Sequence, residues 1–492
     1  MKQSKIISQI ASVYIVLPFL IFISTWIKLP IAIPMLVAVL YCLYKVCKNS
    51  PSLWMPEWNK QNILKIIIIC LFVSLWVYSS GVGKYVFQNA DHIWRNAIFN
   101  ILVEYDWPVI NHEIIGDNIG KMEACGMIYY IGFWLPSAVV GKIFGIDAGY
   151  FVQLIWAILG ILLVYYFICV HMKKIAIWPL FVFVFFSGLD ALGIFIREIG
   201  MDTLRSWGTH LEWWGDSYQY SSMTTQLYWT FNQSIPAWLC TIIAYSQKNN
   251  KNLVFILACC MLTSTIPFVG LLLLVAFLCL DRKYECKEQT TPKERVKNHI
   301  INLIKDTCTV QNVLGGGIIG IMSFIYLCGN SSANQVGMKQ YQNNLSVLLI
   351  FLLVEIGVYF QLIYRYNRKN KLYYYNFICL CIIPLIRVGY SNDFCMRASI
   401  PALFLLTLWV MEALQKSWRQ KKIVLCISMI VALSIGAATP IAEMYRTITE
   451  TYTRKANGQV VCAEDRDSIM LLNESNFSGD IEDNFFFKYF AR

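Results

Sequence analysis

The chain has 492 residues, 57% of them hydrophobic and 14% charged, with a formal net charge of +11. A soluble domain carries about 25% charged residues, and a soluble fold of this length could not hide so much apolar side chain, so the composition requires a bilayer as solvent. The positive charge does not signify nucleic-acid binding, because the basic residues sit in short loops between apolar runs and act there as topology signals.

The N-terminus, "MKQSKIISQIASVYIVLPFLIF", starts like a signal peptide. A second apolar run follows at once with no small-residue cleavage site, so the segment reads as a retained first helix. A spanning helix needs roughly 20 apolar residues. Runs that qualify, or nearly so, lie at 7–25, 30–47, 62–81, 149–170, 175–196, 230–246, 252–263, 265–281, 311–329, 346–364, 372–388, 398–415 and 421–441. The pair 252–263 and 265–281 reads as a hairpin or as one broken helix, with Pro267 at the break. Of the 17 cysteines most lie inside such runs (Cys70, Cys240, Cys259, Cys260, Cys381) and behave as small hydrophobes rather than as a disulfide framework.

Lys and Arg in the short loops set the orientation. Lys45/Lys48, Lys173/Lys174, Lys248/Lys251, the cluster from Arg282 to Lys305, Arg365/Lys371 and Lys416/Lys422 all fall on one side if the segment 126–145 does not fully cross. That segment therefore reads as a re-entrant or interfacial helix on the outer side. The fold expected is all-α: a polytopic integral membrane protein with about thirteen transmembrane helices and outer-face amphipathic or re-entrant helices. Residues 1–441 form the membrane domain, with outer loops 82–148, 197–229, 330–345 and 389–397, and 442–492 form a tail outside. The N-terminus is inside.

The outer segments hold the chemistry, including His92, His112 and His210, three of the five histidines. In "NADHIWRNAIFNILVEYDWPV", residues 91–103 have the spacing of an amphipathic helix on the membrane surface. Asp91 stands at its start, either as a cap or as a carboxylate held at the water–lipid boundary. Arg95 follows within about one turn. Glu104, Asp106, Glu113 and Asp117 form an acidic cluster that could take a divalent metal through oxygen ligands, but their spacing matches no calcium loop, so no metal ligand is assigned and the cofactor is left unknown. Asp190 is unusual for lying in an apolar run. "HLEWW" places His210 beside Glu212 and Trp213. Carboxylates and tryptophan faces together suit a sugar ring, as does the amide of Asn232; an aromatic belt at the headgroups is the plainer reading of each Trp. In "LIRVGYSNDFCMRASIPALF", Arg387, Asp393 and Arg397 stay close to the membrane. An Arg pair there can grip a phosphate bidentately, or Asp393 and Arg397 simply form an i,i+4 pair. No phosphate loop, zinc-ligand spacing or serine-nucleophile elbow is present.

An inside N-terminus, an acidic residue just after an early span, a long outer segment and many spans with basic inner loops together resemble the GT-C class of glycosyltransferases. "FSGLD", "YSSMTTQLYWTFNQSIPAW" and "GYSNDFCMRASIP" look like signatures of bacterial surface-polysaccharide membrane proteins. The chain departs from the class in having more than one span before the loop that carries Asp91. The resemblance implies an enzyme of the bacterial cytoplasmic membrane that moves a sugar from a polyprenyl-phosphate-linked donor to a glycan or lipid acceptor, with inversion. It implies Asp91 as general base, with Glu104 or Asp106 as substitutes. Arg95, Arg387 and Arg397 would hold phosphate, and His210, Glu212, Trp213, Asn232 and Asp393 would contact sugar. A lipid-linked glycan polymerase or ligase, a transporter or flippase of lipid-linked sugars, and a structural envelope subunit are the alternatives.

Overall fold

The computed structural model describes the chain apart from residues 1–2, 112–123, 199–209, 216, 284–291, 331–344, 387, 389–392, 464–470, 473–475 and 483. Helix dominates it. Two apolar helices, α1 (Ile6–Trp26) and α2 (Leu29–Asn49), open the chain, and β1 (Gln3–Ser4) pairs with β2 (Leu53–Trp54) across their base. Then come α3 (Lys60–Ser79), whose first turn is capped by the Asn59 side chain, and α4 (Asp91–Glu104). β3 (Ile110–Asn111) and β4 (Cys125–Met127) lead to α5 (Leu135–Phe144) and the 27-residue α6 (Ile146–Met172). After α7 (Trp178–Phe185) and α8 (Asp190–Glu198) comes α9 (Met223–Tyr245), followed by α10 (Leu253–Met261), α11 (Thr265–Leu280) and the polar α12 (Pro292–Thr307). The rest comprises α13 (Gly316–Cys328), α14 (Leu345–Leu352), α15 (Val358–Asn367), α16 (Lys371–Ile382), α17 (Asp393–Ala398), α18 (Ile400–Arg419), α19 (Ile423–Gly436) and α20 (Ala438–Ala456). β5 (Ser478–Asp480) joins β3 and β4 in a small antiparallel sheet of order β3-β4-β5, and α21 (Phe485–Tyr489) ends the chain.

Among the described residues, eight helices are long and apolar enough to cross a membrane. Their outer faces present Val37, Leu71, Leu75, Phe324, Leu353 and Val424, all exposed. Apolar surface on that scale suits hydrocarbon rather than water. The loops separate into two ends. At one, Lys5 reaches the Lys48 carbonyl (2.7 Å), Lys371 pairs with Asp281 (3.1 Å) and Arg282 donates to the Gln247 carbonyl (2.6 Å). At the other, the chain terminus closes over the α1–α2 turn, where Arg492 N–H donates to Trp26 (2.9 Å) and Lys28 N–H to Phe490 (2.9 Å). The three-stranded sheet and α20 lie at this second end.

Two segments enter the bundle and turn back. Ten-residue α5 rises only about 15 Å, half the hydrocarbon thickness. The chain before it dips from β4 to Gly132 and α5 climbs out again. From the opposite end, α10 and α11 form a hairpin rather than one broken helix, since Asn250 Nδ2, just before α10, donates to the Cys279 carbonyl near the end of α11 (3.1 Å). The two tips meet: Gly132 N–H donates to the Leu262 carbonyl (3.1 Å). Beside them Phe133 and Thr263 share a small cavity with Tyr14 and Trp156, near the middles of α1 and α6.

α9 runs through the centre, buried everywhere except Trp229 and Tyr245. It kinks at Thr230 (φ −137°, ψ 35°), and Pro236, nearly two turns on, removes a further backbone donor. α4 is a correction to the sequence reading. Nine of its 14 residues, from His92 and Arg95 to Leu102, are buried, so it is enclosed by protein and does not lie on a lipid surface. The apolar spacing was real, but Asn96 and Asn100 on the remaining faces are covered too, by Gln88 (2.8 Å) and Tyr150 (2.6 Å).

Close helix contact fixes α17. A Cβ on Gly270 of α11 would drive into the backbone carbonyl oxygen of Ala398. Gly270→Ala should therefore cost about 1–3 kcal/mol, by forcing the backbones apart. Gly317→Ala, whose Cβ meets nothing within 4 Å, should leave stability unchanged or slightly raised. Thermal unfolding of both variants in detergent checks the contrast; equal melting temperatures would refute it.

Candidate functional site

Asn89 sets the start of α4. Its side-chain oxygen accepts from the Asp91 N–H (3.1 Å), and its amide donates to the Tyr228 carbonyl beside the α9 kink (2.9 Å). Asp91 is the first residue of α4 and the acid in its first turn, and its carboxylate reaches Arg95 one turn on (3.0 Å). Arg95 is buried and its Nε donates to Asn232 Oδ1 on α9 (3.3 Å). His92, between them, has its Nε2 3.0 Å from the Tyr228 carbonyl and its Nδ1 3.2 Å from the Gln88 amide, which assigns a neutral Nε2–H ring. Burial and the neighbouring Arg95 push it down to about 3, so it stays uncharged at any physiological pH. It is a strut, not an acid or base.

From the far side of the bundle comes Arg397 on α17, paired with Asp393 (3.2 Å). Its Nη1 lies 3.5 Å from the Tyr130 hydroxyl, and Tyr130 also takes Gln233 Nε2 (3.1 Å) and the Tyr129 hydroxyl. Arg397 Nε is buried with no hydrogen-bond partner among the described residues. Asp91 and Arg397 are close enough to act on one another. Burial works to raise the Asp91 carboxyl, but Arg95 and Arg397 outweigh it and hold it below the usual carboxylate range. Burial likewise opposes the charge on Arg397, and Asp393, Tyr130, Tyr129 and Asp91 together raise its pKa nonetheless. The floor of this cluster rests on the α10–α11 tip through Ser264, which donates to the Gln233 carbonyl (2.8 Å). Its roof is the chain's own tail, since Phe477 packs on both Trp94 (5.6 Å between centroids) and Tyr129 (4.9 Å). Two guanidinium groups, a donor with no partner among the described residues, and phenol and amide groups converge, with two carboxylates, Asp91 and Asp393, at the rim; a phosphate would compete with those carboxylates for the guanidinium donors.

No family model matches the chain, and no curated protein or solved structure matches it either. The site must be judged on its own chemistry.

Of the sequence-selected residues, Asp91, Arg95, Asn232, Asp393 and Arg397 meet in this cluster. Glu104 and Asp106 do not. Glu104 ends the helix that Asp91 begins, about 20 Å along its axis, and both acids are exposed. Neither can substitute for Asp91. Arg387, Glu113, Asp117 and His112 lie outside the described residues. Among the described residues no group of three His, Cys, Asp or Glu could hold a metal ion.

His210, Glu212 and Trp213 form a neighbouring cluster with a different character. His210 is buried between Trp213 and Trp229 (5.0 Å to each), with its Nδ1 3.7 Å from Glu443. Glu443, on α20, also takes the Trp229 indole (2.9 Å) and Arg446. Glu212 accepts from the Ser222 N–H and from Gln219, both at 2.8 Å. Its carboxyl is already satisfied inside the protein, which corrects its assignment as a sugar ligand. Trp213 alone of the three is exposed. Behind Glu212, Asp190 takes Ser187 and Thr439 (2.7 Å each), and the Trp214 indole bridges Asp190 (3.2 Å) and Glu355 (3.0 Å). Gly188 is required here, because any Cβ would strike the Glu355 carboxylate.

Burial first, and Asp190 second, push Glu212 up to about 7. The folded chain therefore keeps a proton there that the unfolded chain, with the ordinary value of 4.5, releases. This stabilisation is complete below about pH 4.5 and is lost as pH rises through 7. Glu212→Gln should remove that slope: the wild type loses up to about 3 kcal/mol between pH 4.5 and 8, and the variant much less. Melting temperatures across that range decide the matter, and parallel curves would contradict it.

Tyr129, Tyr130, Gln233 as a hydrogen-bond donor to Tyr130, and Glu443 were not selected from the sequence as site residues. The adjacent tyrosines at the inner turn of segment 126–145 were the available signal, since a re-entrant turn must offer polar groups where backbone is left unpaired. Glu443 carried no such signal, because only the return of α20 over α9 gives it a role.

Proposed function

We propose that this chain is a multi-pass membrane glycosyltransferase acting on a polyprenyl-phosphate-linked sugar at the extracytoplasmic face of a bacterial cytoplasmic membrane. The observation that carries the reading is the convergence of Arg95 and Arg397 around Asp91, with Arg397 Nε buried and without a partner among the described residues. A guanidinium fork with a spare donor matches a phosphate oxygen. The expected thirteen crossings fall to about eleven once α10 and α11 turn back as a hairpin; an inside N-terminus and an outer tail belong to the same proposal, with the lysine-rich end facing the cytoplasm.

In the reaction, the acceptor hydroxyl oxygen attacks the anomeric carbon as the bond from that carbon to the phosphate oxygen breaks. The hydroxyl proton passes to the Asp91 carboxylate. The polyprenyl phosphate leaves with the bonding electrons, its charge met by Arg397 and Arg95. Attack opposite the leaving group inverts the anomeric centre. Asn232 and Tyr130 are placed to orient sugar or phosphate oxygens.

A flippase of the same lipid-linked sugars is the second reading. The opposed half-crossing segments that meet at Gly132 and Leu262 favour it, since irregular backbone at membrane depth is a mark of transport pathways. Purified protein in proteoliposomes, given a polyprenyl-phosphate-linked sugar and a glycan acceptor, separates the two. Release of polyprenyl phosphate with growth of the acceptor supports the transferase. Movement of intact donor between leaflets without release overturns it in favour of the flippase.

A further inference from the structure

At the basic end, remote from the cluster just described, a cavity of about 390 Å³ opens between the α6–α7 turn and the α18–α19 turn. Its walls are Trp178, Leu414, Trp418 and Ile430, and Lys174 and Arg419 stand at its rim. We propose that it is a binding site for an anionic phospholipid, with an acyl chain in the cavity and the phosphate between Lys174 and Arg419.

Three observations carry this. The volume falls within the usual range of small-molecule sites, roughly 300–1,000 Å³, yet the lining is almost wholly apolar, which suits a hydrocarbon chain and not a soluble metabolite. The rim is cationic without compensation. Lys174, Arg419 and Lys65 have no carboxylate partner among the described residues, whereas Lys416, one turn before Arg419, is neutralised by Glu412 (3.5 Å). Lys174 lies over the Trp178 ring (5.6 Å), and burial, then Arg419 and Lys65, lower its pKa, so the three cations repel one another. A phosphate would relieve that repulsion. Finally, the site sits where a headgroup would be. Trp418 is 74% exposed and Val424 81%, marking a surface where an interfacial indole meets lipid-facing residues. Basic pockets between spanning helices are a recognised way to hold anionic headgroups.

The test uses the full-length protein in detergent and native mass spectrometry, with dioleoyl phosphatidylglycerol or dioleoyl phosphatidylcholine added. Phosphatidylglycerol should give one retained adduct and phosphatidylcholine none. The double variant Lys174→Gln/Arg419→Gln should weaken that adduct at least tenfold. Leu414→Trp, which fills the cavity and keeps both cations, should weaken it comparably, and it decides the question if the double variant fails to fold. Glycerol phosphate at millimolar concentration should not displace the lipid. Equal retention of both lipids, wild-type retention by Leu414→Trp, or displacement by glycerol phosphate would each overturn the proposal.

Discussion

Arg397→Met is expected to reduce turnover of a phosphate-linked donor at least a hundredfold while lowering stability by only about 1–2 kcal/mol. The two magnitudes differ for a physical reason. Removing one member of a fully buried ion pair costs about 3–5 kcal/mol because the other charge is stranded. Here the stranded charges keep access to water, since the side chains of Asp393 and Asp91 are 39% and 37% exposed. Hydration replaces much of what Arg397 supplied. The proposed transfer has no such substitute, because water at the rim cannot reproduce a fixed donor to a leaving phosphate, and removing one such donor costs about 10²–10³ in rate. Arg397→Lys keeps the charge and loses the planar fork with its Nε donor. It should melt near the wild type and still turn over at least tenfold more slowly. Melting temperature and polyprenyl phosphate release, measured on the same preparations, check both variants. Wild-type turnover by Arg397→Met would remove the arginine from the reaction.

The helical, multi-span character was legible because the bilayer imposes a length rule that composition cannot evade. The shortness of the helix in 126–145 was legible for a related reason: keeping Lys173, Lys251 and Lys371 at one end asks that this segment not cross, and α5 has ten residues, about half of a spanning helix. Depth and enclosure were not legible. The spacing of Ile93, Ala97 and Ile101 describes one apolar face of α4, but whether Asn96 and Asn100 meet water or protein depends on Gln88 and Tyr150, contributed by other segments. The same ambiguity misdirected the reading of Glu212. A carboxylate beside two tryptophans looks identical in sequence whether it faces a sugar or accepts from Ser222 and Gln219. Charged residues near the rim fared better. Asp91 and Arg397 each follow or precede a span closely, so their depth was bounded even though the contact between their elements was not.

Asp91→Asn should slow sugar transfer by about 10²–10⁴-fold, the usual contribution of a positioned general base, with KM little changed. Stability should fall by about 1–2 kcal/mol, because Arg95, only 9% exposed, loses its carboxylate but keeps Asn232 and can still be met by the new amide oxygen. The pH dependence is the sharper test. With its pKa held below the ordinary 3.8 by Arg95 and Arg397, the resting carboxylate is a feeble base. It can accept a proton only late in the attack, once bond formation has made the acceptor hydroxyl acidic. In the proposed reaction, donor binding changes this. A phosphate engaging the same two arginines draws their positive field away from Asp91, and its pKa must rise toward or above the normal value. The profile of kcat/KM reports the free enzyme and that of kcat the bound complex. The acid limb of kcat should therefore lie at higher pH than the acid limb of kcat/KM, and Arg95→Gln should bring the two closer together. Coincident limbs in the wild type would mean that the phosphate does not touch the arginines that hold Asp91.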